Sequence, residues 1–360
     1  MRKSLLLTLS VSLATAIFSA AASAAGCLAA APECTEWLGA SAGPARVRIY
    51  RNYSLDARNE AITHAVIVIH GLGRDANNYY RHGLAAGFLA GALDKTLIIA
   101  PHFASNDGNT CRDALAQDET NWVCRGPEIW RNGGGAVAQK DFTTFDVMDA
   151  LLQRLARRDS FPNLKTVVLA GHSAGGQYVA RFAMSNRLHE KLPFPVAYVV
   201  SNPSSYTYIG KLRPTVSAMA SRYPALPPGY AAVPANPPQP FVEFADAQEC
   251  TGYNKWPYGL EERVGYAARL SEDDLKRQYA NRPVTYLLGE LDILPLYGFD
   301  SSCPAMAQGP TRLARGVAFA KYATETLGAR HQTVLVPACG HNARCMFGAD
   351  VSVPLLFPRN

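Results

Sequence analysis

Six short apolar runs, each rich in β-branched residues, recur along this chain. They are Ala65-Val-Ile-Val-Ile-His70, Thr96–Ala100, Val167–Ala170, Val196–Val200, Val284–Leu288 and Thr333–Val336. Four or five consecutive apolar residues without polar alternation mark strands buried on both faces, and such strands need helices above and below them. The intervening sequence supplies these. Leu84, Phe88, Leu89 and Leu93 recur at helical intervals, as do Phe142, Phe145, Met148, Leu151, Leu152 and Leu155, and Val317–Leu327 is a third such stretch. The expected product is an α/β fold, an open, mostly parallel, doubly wound sheet with helices on both faces. With 360 residues, 48% of them hydrophobic, the chain can bury such a sheet as one domain.

The first residues stand outside that pattern. Met1-Arg2-Lys3 is a cationic start, Leu5 to about Ala21 is an apolar run, and Ala22-Ser23-Ala24 supplies small residues of the A-x-A kind. Residues 1–25 are therefore expected to be a signal peptide, with a retained membrane anchor as the rival reading. The remaining chain, 26–360, is expected to be one exported domain, secreted or periplasmic. Without Arg2 and Lys3 the formal charge drops from +6 to +4, and no Lys/Arg tract remains. Neither nucleic acid nor a polybasic membrane contact is implied. Eight cysteines follow the leader, an even number that suits disulfides in an exported chain. Proximity favours Cys27–Cys34, Cys111–Cys124 and Cys339–Cys345, which leaves Cys250 for Cys303. C-x-x-C spacing is missing, so no metal site is expected, and nothing beside any cysteine suggests thiol catalysis.

Two regions interrupt the rhythm. Asn106–Lys140 carries Cys111, Cys124, Trp122, Trp130 and Gly133-Gly134-Gly135. Residues from about 204 to 282 are rich in proline and tyrosine, with "YPALPPGYAAVPANPPQP" at Tyr223–Pro240. Such a segment suits neither a regular helix nor a central strand, and reads as an extended, cap-like excursion over the sheet edge. Its role is specificity or mere decoration.

The third apolar run continues into "GHSAGGQYVARF", a strand that turns sharply into a helix with Ser173 at the tip. At the carboxyl end of a parallel strand such a serine projects above the sheet, and the following helix start aims N–H groups at any nearby anion. Gly171 and Gly175 suit the crowding of so tight a turn. This is the G-x-S-x-G nucleophile elbow. A serine hydroxyl needs a base, and the base needs a carboxylate to orient it; on such sheets the acid and then the histidine follow the serine along the chain. After Val284–Leu288 comes Gly289-Glu290-Leu291-Asp292, and after Thr333–Val336 comes Pro337-Ala338-Cys339-Gly340-His341. Asp292 is preferred to Glu290 because the loop can turn before presenting it; Asp300 and Asp246 are lesser rivals. His331 precedes its strand and belongs to the wrong end. A Cys339–Cys345 bridge would close a small loop around His341. For the oxyanion of an acyl-transfer intermediate, the backbone N–H groups of Ala174 and of Leu72, in "HGLGRDANNYY", are the expected donors.

Taken together, His70-Gly71, Gly171-x-Ser173-x-Gly175, Asp292 and His341 resemble the α/β-hydrolase superfamily from about Val47 to the end, and look closest to secreted serine esterases of the lipase, cutinase and polyester-hydrolase kind. "GHSAGGQYVARFA", "SNPSSYTY" and "CPAMAQGPTRLARG" are further segments seen in secreted hydrolases. The resemblance implies an α/β-hydrolase fold, a Ser173–His341–Asp292 triad, an acyl-enzyme, no cofactor, and a small-molecule or polymeric ester as substrate. An amidase or peptidase, a depolymerase of a polyester or polyamide, and a hydrolase-like binding protein are the competing readings. Ser204, Ser205 and Tyr206 are either pocket residues or turn formers, and Trp122, Trp130 and Trp256 either a substrate wall or core.

Overall fold

The computed structural model describes residues 26–39, 46–214, 241–296 and 298–358. Residues 1–25, expected from the sequence to be a signal peptide, and the Tyr223–Pro240 segment lie outside the described residues. Among the described residues there are ten strands: β1 (Thr35–Gly39), β2 (Arg46–Arg51), β3 (His64–Ile69), β4 (Thr96–Pro101), β5 (Thr166–His172), β6 (Val196–Ser201), β7 (Leu212–Pro214), β8 (Phe241–Glu243), β9 (Val284–Gly289) and β10 (Gln332–Val336). Eight of them form one sheet in the order β1-β2-β4-β3-β5-β6-β9-β10. Pairing is parallel from β4 through β10, and antiparallel where β1 and β2 extend the edge. β7 and β8 make a separate two-stranded ribbon.

The helices are α1 (Ala76–Leu89), α2 (Thr144–Leu155), α3 (Ala174–Ser185), α4 (Glu272–Asn281), α5 (Cys303–Met306), α6 (Arg312–Glu325), α7 (Ala343–Gly348) and α8 (Val353–Leu356). Period-two alternation divides each strand between two cores. Ala65, Ile67 and Ile69 of β3 pack with α2, α3, α4 and α6, whereas Val66 and Val68 pack with α1, α7 and α8. Helix starts are written locally. The Thr143 hydroxyl and Asp146 carboxylate form a reciprocal capping box on α2, and Ser271 and Thr311 cap α4 and α6.

Three departures from the sequence reading have plain causes. α1 begins eight residues before Leu84 and buries Ala76, Tyr79, Tyr80, Gly83 and Leu84, which leaves Phe88 and Leu89 exposed at its end. Small Gly83 lets the helix approach Ile98 and Val68, so the buried stripe runs through residues that do not look apolar in sequence. The stretch from 204 to 282 is only partly a loop over an edge. Its end forms α4, whose Leu275 and Tyr279 join the central core, and Tyr206, Tyr208, Trp256, Leu260 and Tyr266 are buried there too. β1 and β2 were unanticipated strands. The Arg-Val-Arg-Ile alternation of β2 buries Val47 and Ile49, while the intervening Arg48 pairs with the buried Glu119.

Candidate active site

β5 delivers Ser173 directly onto α3. The turn holds Ser173 at φ +59°, ψ −120°, a left-handed conformation that a side chain tolerates only when its surroundings enforce it. The enforcement comes from both flanks. A Cβ at Gly175 would stand 2.2 Å from the Ile69 carbonyl oxygen on β3, and one at Gly171 would stand 2.2 Å from the Gly175 carbonyl oxygen. The backbone N–H of Ser173 is tied to Ser201 O of β6 at 2.9 Å.

The loops after β9 and β10 bring the other two side chains to this serine. The Ser173 hydroxyl donates to His341 Nε2 at 2.9 Å, and His341 Nδ1–H donates to Asp292 Oδ2 at 2.8 Å. Asp292 is buried, His341 partly so. The rival carboxylates are engaged elsewhere. Glu290 accepts the Ala338 N–H at 3.1 Å and so braces the histidine loop, Asp300 accepts from the Tyr258 hydroxyl at 2.8 Å, and Asp246 lies in the turn that precedes Cys250. His331, at the opposite end of β10, meets Tyr286 and Tyr279. Disulfides join Cys27–Cys34, Cys111–Cys124, Cys250–Cys303 and Cys339–Cys345, the last with its Cα atoms 5.8 Å apart around the His341 loop.

Ala174 is the first residue of α3, so its N–H belongs to the first-turn donors that no helical carbonyl satisfies. The β3–α1 loop runs alongside Ser173: a Cβ at Gly71 would stand 3.8 Å from Ser173 Cβ and 2.7 Å from the Tyr79 hydroxyl. Gly73, by contrast, has room for a Cβ. Leu72 follows Gly71 in this loop, and its carbonyl accepts from Arg74 Nη1 at 2.9 Å. Arg74 grips Asp113 with both arms, and Asp113 also accepts the Ser105 N–H. Burial opposes ionisation of Asp113, but these bonds outweigh it and hold its carboxyl below the usual range. Beneath the loop, burial drives the His70 imidazole down to about 3, with His102 adding to the effect. His70 is therefore neutral. It gives Nδ1–H to Gly71 O and takes the Phe103 N–H on Nε2, each at 3.0 Å.

Several supporting residues escape sequence reasoning. Asn202, just past β6, accepts the Gly289 N–H at 2.8 Å and donates to Gly340 O at 3.2 Å, which fastens the acid loop to the histidine loop. His172, beside Ser173, is buried and pushed well below the ordinary histidine range by desolvation and by His341, whose ring centroid is 4.6 Å away. Its Nδ1 meets the Tyr79 hydroxyl at 3.1 Å. Ser204, Ser205 and Tyr206 are buried and bonded to Arg312, Gln177 and Gln308, so they shape the site from behind; Trp122, Trp130 and Trp256 belong to the core.

Among solved structures the fold is similar to that of LpqC, a poly(3-hydroxybutyrate) depolymerase from Bordetella parapertussis, with a TM-score of 0.54, 23% identity, and coverage of 87% of this chain and 84% of that one. It is similar also to poly(aspartic acid) hydrolase-1 from Sphingomonas sp. KT-1, with a TM-score of 0.54, 18% identity, and coverage of 90% and 98%. No curated protein matches the sequence. The model of the alpha/beta hydrolase family matches residues 66–351, and with the sheet order and helix layers described above the chain belongs to that family.

Proposed function

We propose that this protein is an exported serine hydrolase that cleaves carboxylic esters through an acyl-enzyme. The reading is carried by the unbroken hydrogen-bonded chain from Ser173 Oγ through His341 to Asp292. In the proposed reaction His341 Nε2 takes the hydroxyl proton as Ser173 Oγ bonds to the acyl carbon. Asp292 orients the imidazole and stabilises its positive charge. The oxyanion of the tetrahedral intermediate is met by the Ala174 and Leu72 N–H groups. Collapse breaks the carbon–oxygen bond to the alcohol, which leaves with the proton from His341. Water, deprotonated by the same histidine, then releases the acid and restores the serine. Export is supported by the four disulfides, which persist in oxidising compartments.

Turnover of p-nitrophenyl esters of graded acyl length tests the reading. Ser173→Ala is expected to keep the fold and lose at least about 10³-fold in kcat; a folded variant with wild-type turnover contradicts it. A polymeric ester is a second reading, favoured by Leu291 and Leu296, which stand exposed in the loop that carries Asp292. Release of soluble acid from a polyester film, set against release from a matched peptide, separates ester, polymer and amide substrates.

A further inference from the structure

Two segments prominent in the sequence, Ser201–Tyr208 and Cys303–Gly316, have no part in the chemistry above, yet they interlock directly behind the triad acid. Gln308 clasps the Tyr206 backbone, accepting its N–H at 2.7 Å and donating to its carbonyl at 2.9 Å. Arg315 donates to the carbonyls of Gly309 and Ser204. Arg312, in the first turn of α6, gives Nε–H to Ser204 Oγ at 2.8 Å and places Nη1 3.5 Å from Asp292 Oδ1. The next residue, Leu313, donates its N–H to the Asp292 carbonyl at 3.2 Å. The side chains of Arg312 and Asp292 are 0% and 1% exposed.

That arrangement answers a physical difficulty. Asp292 spends Oδ2 on His341, and a buried outer carboxylate oxygen left without a partner costs desolvation energy and leaves the carboxyl group free to turn away from the imidazole. We propose that Arg312 is a positioning residue of the triad: its guanidinium, itself fixed by Ser204, holds the outer oxygen of Asp292, so that Oδ2 stays aimed at His341. This rests on the serine-hydrolase reading. The titratable and charged groups around His341 include Asp292, Arg312 and the neutral His172, with Arg344 on the adjoining α7 acting on His82. Beyond them are Glu290, bonded to the Ala338 N–H, Asp300, bonded to Tyr258, and His82, which acts on His172 from α1. Arg312 is the permanent cation beside the carboxylate. It also opposes the positive charge on His341 that proton transfer creates.

The test is a set of kcat/KM profiles against pH for p-nitrophenyl ester hydrolysis by the whole protein, with melting curves to establish folding. Arg312→Met is expected to lose about 10²-fold in kcat with KM changed less than about threefold, and its acid limb to move up by about one pH unit as a cation several ångströms from the imidazolium disappears. Arg312→Lys restores the limb and part of the rate, since it keeps the charge and loses the planar fork. Arg315→Met removes a guanidinium that touches Ser204 without reaching Asp292, and leaves the limb in place. A folded Arg312→Met with the wild-type limb overturns the proposal, as does an equal shift in Arg315→Met. Should Arg312→Met fail to fold, Arg312→Lys decides through coupling. It is expected to cost about tenfold in kcat alone and nothing further on top of Asp292→Asn; equal losses in both backgrounds overturn the role. Wild-type protein whose Ser173 does not react with a fluorophosphonate overturns the hydrolase reading itself. A reactive wild type with an unmoved Arg312→Met profile overturns only the part given to Arg312.

Discussion

Replacing Gly175 by alanine puts one methyl group into the tightest contact of the elbow. The new Cβ would sit 2.2 Å from Ile69 O and 2.7 Å from His70 O. A carbon and a carbonyl oxygen need well over 3 Å, so the start of α3 and the end of β3 must part by about 1 Å. Both obstacles are backbone, and no rotamer change relieves them. Against the helix gain of about 1 kcal/mol for glycine to alanine stands an overpacking cost of about 3 kcal/mol. A net loss of about 2 kcal/mol lowers the melting temperature by roughly 3 °C in a domain of this size. The displacement falls between Ser173 and the β3–α1 loop, and a misplacement of about 1 Å there costs about 10²-fold in kcat/KM. Gly73→Ala serves as the control. Its Cβ meets nothing closer than Asp75 at 3.6 Å, so melting and turnover should both stay near wild type. Calorimetry and ester turnover on the two variants read both quantities. A Gly175→Ala protein that melts and turns over like wild type refutes the claim that this glycine is demanded by the packing of the elbow.

Other parts of the site yield further expectations. Replacing Cys339 and Cys345 together by serine opens the loop around His341; chain entropy for so short a loop predicts a loss of about 2 kcal/mol in urea unfolding, with kcat falling more than KM. Because the folded His70 binds its proton only near 3 while the unfolded chain binds one near 6.5, native stability declines as pH falls below about 6.5 and continues to decline toward about 3. His70→Gln, with no titratable ring, should show a flatter dependence of urea midpoint on pH between 6.5 and 4, and an unchanged slope contradicts the buried neutral assignment. Arg74→Ala frees the loop that carries Leu72, and is expected to reduce kcat by about tenfold with little change in KM.

Much of this was legible in the sequence because the candidate site sits on the same punctuation as the fold. Ser173, Asp292 and His341 each follow an apolar run within a few residues, so recognising the strands also located the side chains at one end of the sheet. The edge strand β2 was harder to see because half its residues are arginines, and α1 because its buried face is written in alanine, tyrosine and glycine. The supporting shell left no local pattern at all. Arg74 meets Asp113 across 39 residues and Asn202 meets Gly340 across 138, pairings that exist only after the sheet has closed. The same holds for Arg312, which looks like any helix-start arginine until Asp292 is placed beside it.

Reaction with a fluorophosphonate, read by intact mass and peptide mapping, addresses the assignment of Ser173 most directly. One adduct per chain, located on Ser173 and formed far more slowly in His341→Ala, is the predicted result. A protein that hydrolyses esters while Ser173 stays unmodified, or one labelled at another residue, contradicts it.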